Sequence, residues 1–306
     1  SSKCMKLINF SCFVFFVFYS MTSFADKSFF KDISYLLPDQ KPRLSYGVAV
    51  TDFDNDGLDE FIVTGFGYEN LALGFDGKSL KNKIKENIFS DFNRSTIGVA
   101  ACDIDKDGHE EIYFLNTDTY SGQKMYSDRL LNIENKKIVD LFEKDINQDE
   151  LNLTAGRSVV CVDREGKGNY GVYVANYGGP TRFYEYIEDR VVDLAESLNL
   201  DEVTGGRAVV AGHILTDQMD IFAANERGPN FLYFNKKGKF LDVAGQMNVR
   251  DMYQNGRGTA LSDILYRGRL DILNGNWGGY HRAYVYEDYK FKDIAVPSFD
   301  QPSRIR

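Results

Sequence analysis

Two nine-residue stretches carry carboxylates at a spacing suited to holding a hard cation. Residues 52–60 read DFDNDGLDE and residues 103–111 read DIDKDGHEE. Asp52, Asp54 and Asp56 in the first, and Asp103, Asp105 and Asp107 in the second, converge when the chain coils about a point. Gly57 and Gly108 permit the sharp turn that the coil requires. The backbone carbonyl of Leu58 or His109 adds a further oxygen, and Glu60 or Glu111 closes the set. Calcium suits such a cage because it takes about six to eight oxygens in a flexible geometry, whereas magnesium demands a strict octahedron. An EF-hand is excluded: it needs a glutamate at the twelfth position and flanking helices, and here that position is Val63 or Phe114 between strand-like runs. Asp-Gly clusters also serve as ordinary turns, but two loops in register, each ending in Glu, argue for a shared ligand.

Three later loops keep the place and lose the acids. The third has Asp163 followed by Arg164, Glu165 and Lys167, and the fourth, GHILTD from Gly212, has lost the pattern. The fifth retains Asp263 and Asp271 but carries Leu265 and Arg267 where the other aspartates stand. No ordinary calcium site is expected in these three, and Arg267 is expected to fill the fifth cavity with its own charge.

The elements that position these loops are short strands in repeated units. GRSVV at Gly156 returns as GRAVV at Gly206 and GRGTA at Gly256, a period of 50. NYGGP, NERGP and NWGGY, headed by Asn176, Asn225 and Asn276, form a second series, and VVDLA, FLDVA and FKDIA, starting at Val191, Phe240 and Phe291, a third. Residues 47–52 match residues 98–103. Five units follow, near 45–95, 96–155, 156–205, 206–255 and 256–306, the second enlarged by an insertion between 115 and 155. Runs of four to eight residues bounded by Gly, Asn and Asp read as strands and turns; a short helical turn near 194–198 is the exception. Four strands per unit of this length predict an all-β fold, the blades of a β-propeller.

The motifs GVAVTDFDNDG, GVAACDIDKDGHEEIYFLNT, AGRSVVCVDREG, ANERGPNFLYFN and NGNWGGYHR resemble the FG-GAP/VCBS repeats of integrin α-subunit propellers and, more closely, the cartilage acidic protein (CRTAC/ASPIC) family. The resemblance covers nearly all of the chain after its N-terminal segment. It implies a secreted, calcium-binding propeller of about seven blades in extracellular matrix or at cell surfaces. About five blades are expected here, as an open arc. The chain ends at Arg306, ahead of the family's next DFDND-type blade and its ASPIC/UnbV and EGF-like regions, and so reads as a fragment or short isoform. Residues 29–33 resemble the last strand of a unit and are expected to complete a blade.

The N-terminal residues 1–25 read as a signal peptide, with Met5 the initiator, an apolar run from Phe13 to Tyr19 and small residues at Ser23 and Ala25 before cleavage. That run is too short to span a membrane comfortably, so residues 26–306 are expected to be secreted. A formal net charge of -9 argues against nucleic acid or anionic membrane as the main partner. Cys102 and Cys161 either pair in an oxidising compartment or remain buried thiols. Asn93 and Asn152 head N-glycosylation sequons. His109, His213 and His281 show no zinc spacing. Trp277 reads as a packing residue, with a sugar-stacking platform as the alternative. No nucleophile, phosphate-loop or dinucleotide motif is present. The expected function is non-enzymatic: an extracellular protein or matrix component, or a cell-surface receptor, as partner. A glycan-binding propeller using the NYGGP, NERGP and NWGGY loops is the alternative, and a hydrolase sited in the central channel the third reading.

Overall fold

The computed structural model of the protein describes residues 30–38 and 42–304. The chain divides into two units, Ser1–Pro38 and Asp39–Arg306. In the first unit the described residues hold one 3-10 turn, Ser34–Leu36, whose first amide donates to Asp32 Oδ1 at 2.8 Å. The strand expected at 29–33 does not form over residues 30–33; the Asp32 carboxylate accepts the Ser34 amide instead, a use of a short acidic side chain that competes with extended pairing. The signal segment lies outside the described residues.

The second unit contains five four-stranded antiparallel meanders among its described residues. Sheet 1 runs Val48–Thr51, Glu60–Val63, Leu71–Phe75, Leu80–Asn82, and sheet 2 runs Thr96–Cys102, Glu111–Asn116, Arg129–Glu134, Lys137–Asp140. Sheet 3 comprises Gly156–Val162, Gly171–Pro180, Arg182–Ile187 and Arg190–Asp193. Sheet 4 comprises Val203–Gly212, Asp220–Asn225, Phe231–Lys236 and Lys239–Asp242, and sheet 5 Gly256–Ser262, Asp271–Asn276, Arg282–Glu287 and Lys290–Asp293. Sheets 3 and 4 also share a short antiparallel ladder, Tyr177 opposite Gly205 and Pro180 opposite Val203. The turn foreseen near 194–198 is the 3-10 segment Glu196–Leu198.

Period-two alternation explains why each inner sheet packs against a neighbour on both sides. Along Glu111–Asn116 all six residues are buried. Ile112 and Phe114 pack with Phe53, Ile62 and Phe89 of the first repeat, residues 45–95, while Tyr113 and Leu115 pack with Val172, Val174 and Tyr184 of sheet 3. The same alternation places Tyr173 with Val209 and Tyr233 of sheet 4, and Phe222 with Ile272, Tyr284 and Phe291 of sheet 5. Four apolar clusters thus join five sheets in series, and the result is a β-propeller-type stack. The glycine that opens the GRSVV unit has a steric reason: a Cβ on Gly156 would lie 2.2 Å from Leu115 Cδ1, so the first strand of sheet 3 can approach the second strand of sheet 2 only without it. Cys102, on the first strand of sheet 2, and Cys161, on the first strand of sheet 3, form a disulfide with Cα atoms 6.3 Å apart. Of the two readings open for the pair, the structure takes the oxidised one.

Candidate metal centres

Both acid-rich loops join the first and second strands of their sheets, and a wrapping aspartate shapes each. Asp52 accepts from the amides of Asp56 (3.0 Å) and Gly57 (2.9 Å); Asp103 accepts from those of Lys106 (2.7 Å) and Gly108 (3.0 Å). Gly57 and Gly108 sit at φ +86° and +90°, a left-handed conformation that a side chain would strain. Each loop is drawn back on itself, and carboxylate oxygens of Asp52, Asp54 and Glu60, and of Asp103, Asp105 and Glu111, come within 4.8 Å of one another.

The glutamates carry the electrostatics. Glu60 is 0% exposed and Glu111 1%. One oxygen of each accepts a backbone amide, from Phe53 at 3.2 Å and from Ile104 at 2.8 Å. The other, Oε1 in both, is buried without a hydrogen-bond partner. Burial, with Asp54 adding repulsion, pushes Glu60 up to about 7. Burial likewise pushes Glu111 up to about 8, against the opposing Ile104 amide and reinforced by Asp105 and Asp107. Asp105 is also raised, by burial and then by Asp107. A buried carboxylate oxygen with no donor, beside two more carboxylates, is costly unless a cation joins it. The donor set is all oxygen, as a hard cation requires.

Asp56 and Asp107 lie outside these groups. Asp56 accepts from Leu58 N (2.9 Å) and meets Lys83 Nζ at 3.0 Å, which holds its carboxyl below the ordinary range. Asp107 accepts from His109 N at 2.8 Å. Leu58 and His109 are exposed at the loop tips, and Asn132 Nδ2, which composition did not suggest, donates to Asp105 Oδ2 at 3.1 Å.

The later loops show what replaces a cation. In the fifth, Asp271 stands at the strand position of Glu60 and Glu111, opposite Ser262 as they are opposite Thr51 and Cys102. Arg267 reaches it at 3.0 Å and also donates to the Tyr286 carbonyl at 3.0 Å. In the fourth, Asp220 receives the amides of Leu215 (2.7 Å) and Thr216 (2.9 Å) on one oxygen and that of Asn235 (2.8 Å) on the other. In the third, Asp163 still wraps the loop through Lys167 and Gly168, and Arg164 pairs with Glu185. Where the sequence lost the acids, the protein supplies its own donors.

One expected modification site is corrected. Asn93 is exposed, but Asn152 is 0% exposed and its amide bonds Asp128 Oδ2 (2.6 Å) and Asn176 (3.0 and 2.9 Å). A sequon states only composition; this one folds into a buried polar network that occupies the side-chain amide a glycan would need. His281 is a packing residue, accepting from Asn276 N at 3.0 Å. The NYGGP, NERGP and NWGGY loops do not build equivalent pockets: Tyr177 and Glu226 border a cavity of about 420 Å³, whereas Trp277 borders a different one of about 910 Å³.

Four-stranded meanders in series, with acid-lined loops between first and second strands, define an FG-GAP-type repeat protein of the propeller class. The FG-GAP-like repeat family matches residues 52–114, the stretch that holds both loops. The crystal structure of BBS1N in complex with ARL6DN, soaked with mercury, superposes with a TM-score of 0.50 at 11% identity, over 82% of this chain and 68% of that one, a likeness of fold alone. The chain is a homologue of cartilage acidic protein 1. It is 42% identical over 294 residues to the Xenopus tropicalis and Homo sapiens proteins and 40% to that of Mus musculus, each match covering 86% of this chain. The chain spans less than half the length of these relatives, 44–46%.

Proposed function

We propose that this chain is a secreted, calcium-binding, non-enzymatic interaction protein of the extracellular matrix or cell surface. One observation carries the calcium reading: in two loops in register, a fully buried glutamate leaves an oxygen without a donor beside two aspartates. Asp52, Asp54 and Glu60 would hold one ion and Asp103, Asp105 and Glu111 another, with Asp56, Asp107 and the carbonyls of Leu58 and His109 completing the shells. Calcium, when bound, supplies the positive charge that lets the buried glutamates ionise. The residues then close each hairpin between first and second strands and fix the loop tips that face a partner. Extracellular calcium is millimolar, so even sites of modest affinity fill. The Cys102–Cys161 disulfide suits an oxidising compartment, and no helix among the described residues is long and apolar enough to cross a membrane.

The test is a thermal melt with millimolar calcium and with chelator. Binding at about a hundredfold above Kd adds about 2.7 kcal/mol, a shift of several degrees for a chain of this size. The shift should shrink in Asp54→Ala and in Asp105→Ala and vanish in the double variant. A melt indifferent to chelator would leave both loops as hydrogen-bonded turns.

A further inference from the structure

The unit that opens GR repeats a charge as well as a glycine. Arg157, Arg207 and Arg257 lie on the first strands of sheets 3, 4 and 5, and all three border one cavity of about 910 Å³ whose walls come from all five repeats, from Tyr46 and Phe66 of the first to Trp277 of the last. The residues after Asn176, Asn225 and Asn276 in the second series, Tyr177, Glu226 and Trp277, interleave with these arginines. Arg157 and Arg207 lie over the Tyr177 ring at 5.2 and 4.7 Å and over the Tyr120 ring at 5.5 Å each, and Arg257 over Trp277 at 5.0 Å.

The charges do not balance. Glu226 is shared between Arg207 and Arg257, the latter at 3.3 Å. Arg157 bonds neutral oxygens: Thr117 Oγ1 at 3.0 Å and the carbonyls of Gly156 (2.7 Å) and Tyr120. Asp118, also on the wall, accepts the amides of Met125 and Tyr126 at 3.0 and 2.9 Å. Three guanidiniums thus face two carboxylates, one of which is engaged by backbone. The Nε atoms of Arg157 and Arg257 are buried without a hydrogen-bond acceptor. Burial, and then Arg207, push the Arg157 guanidinium down to about 10, as expected of a cation held against another with too little negative charge nearby.

The arrangement is rigid. The insertion in sheet 2 carries Tyr120, and it is pinned by Gly122 N to the Tyr177 carbonyl (2.9 Å), by Ala155 N to the Gly122 carbonyl (2.8 Å) and by a buried Lys124–Asp128 pair. Guanidinium forks held by aromatic faces are suited to planar or tetrahedral oxyanions, and rings around them suit the apolar face of a sugar. We propose that this cavity binds an oxyanion, a carboxylate or sulfate, carried on a ligand of small-saccharide size. Arg157 and Arg207 grip the anion, and Tyr120 and Trp277 flank the ring that bears it.

Trp277 is the chain's one tryptophan, so its emission reports on this cavity. The full chain, with calcium, is titrated with sialyllactose, a sulfated disaccharide, inorganic sulfate and neutral lactose. We expect a saturable change with the sugar-borne anions, none with lactose, and at least tenfold weaker binding in Arg207→Gln and in Arg157→Lys, which keeps the charge and loses the fork. Sulfate binding as tight as the sugars, and equally sensitive to both variants, would overturn the saccharide assignment and leave a small oxyanion as the ligand. No saturable change with any anion, or affinity unaltered in both variants, would overturn the site. The calcium-dependent melt of each variant, expected to match the parent, shows that it is folded and separates this outcome from that of the calcium test.

Discussion

At the scale of single residues, the metal reading turns on protonation. The folded chain in chelator holds Glu60 and Glu111 well above the ordinary carboxylate range, near 7 and 8, so between about pH 4.5 and 8 it binds more protons than the unfolded chain does. Stability in chelator should therefore be greatest at the acid end of that window and fall as pH rises through it. The calcium increment should grow over the same window, since the ion competes with those protons. Urea melts at several pH values, with chelator and with calcium, check both slopes. In Glu111→Gln the chelator slope should flatten and the calcium increment at the second loop disappear. Arg267→Gln should do neither. It strips the cation from fully buried Asp271 and should cost about 1–3 kcal/mol, a loss that calcium does not restore. The spacing of the aspartates was legible in the sequence because ligand spacing is a local property. That Asp56 leans on Lys83, and that Asn132 joins the second loop, depends on neighbouring strands whose register no local pattern gives. The same holds for Asn152, exposed by its sequon and buried by its network.

At the scale of elements, the 50-residue period announced the strands, and the glycine of each GR unit belongs to their packing. Gly156→Ala places a methyl on Leu115 and should destabilise by about 1–3 kcal/mol through overpacking, read as a lower denaturation midpoint at unchanged m-value. The disulfide is the other inter-sheet tie. It joins the first strands of sheets 2 and 3 across 59 residues, and Cys102→Ser with Cys161→Ser should cost about 2–4 kcal/mol, matched by reducing the parent chain. The sequence placed both cysteines in strands and left their pairing open, because pairing requires two units a full repeat apart to stack in the right register. The arginine of the GR unit was equally visible as a repeat, and its direction was not: only the curvature of the stack brings three arginines from three sheets onto one cavity.

For the whole molecule, the order of the apolar clusters sets how a local event spreads. Each cluster joins a sheet to its neighbour, sheets 1 with 2, 2 with 3, 3 with 4, 4 with 5, so stability is close to a sum of sheet terms and nearest-neighbour interfaces. Both metal-ready loops lie in sheets 1 and 2, while the cation in the fifth loop is an arginine that no chelator removes. Calcium withdrawal should thus act from one end. Amide hydrogen exchange in chelator should rise first in the loops at 52–60 and 103–111 and in the strands they join, Val48–Thr51, Glu60–Val63, Thr96–Cys102 and Glu111–Asn116. It should rise less in sheet 3, which the disulfide and the Tyr113–Tyr184 contact hold to sheet 2, and remain unchanged in sheets 4 and 5. Uniform loss of protection across all five sheets would mean that the stack melts as one body and that the interfaces outweigh the sheets. Loss confined to sheets 4 and 5 would place the calcium effect outside both loops.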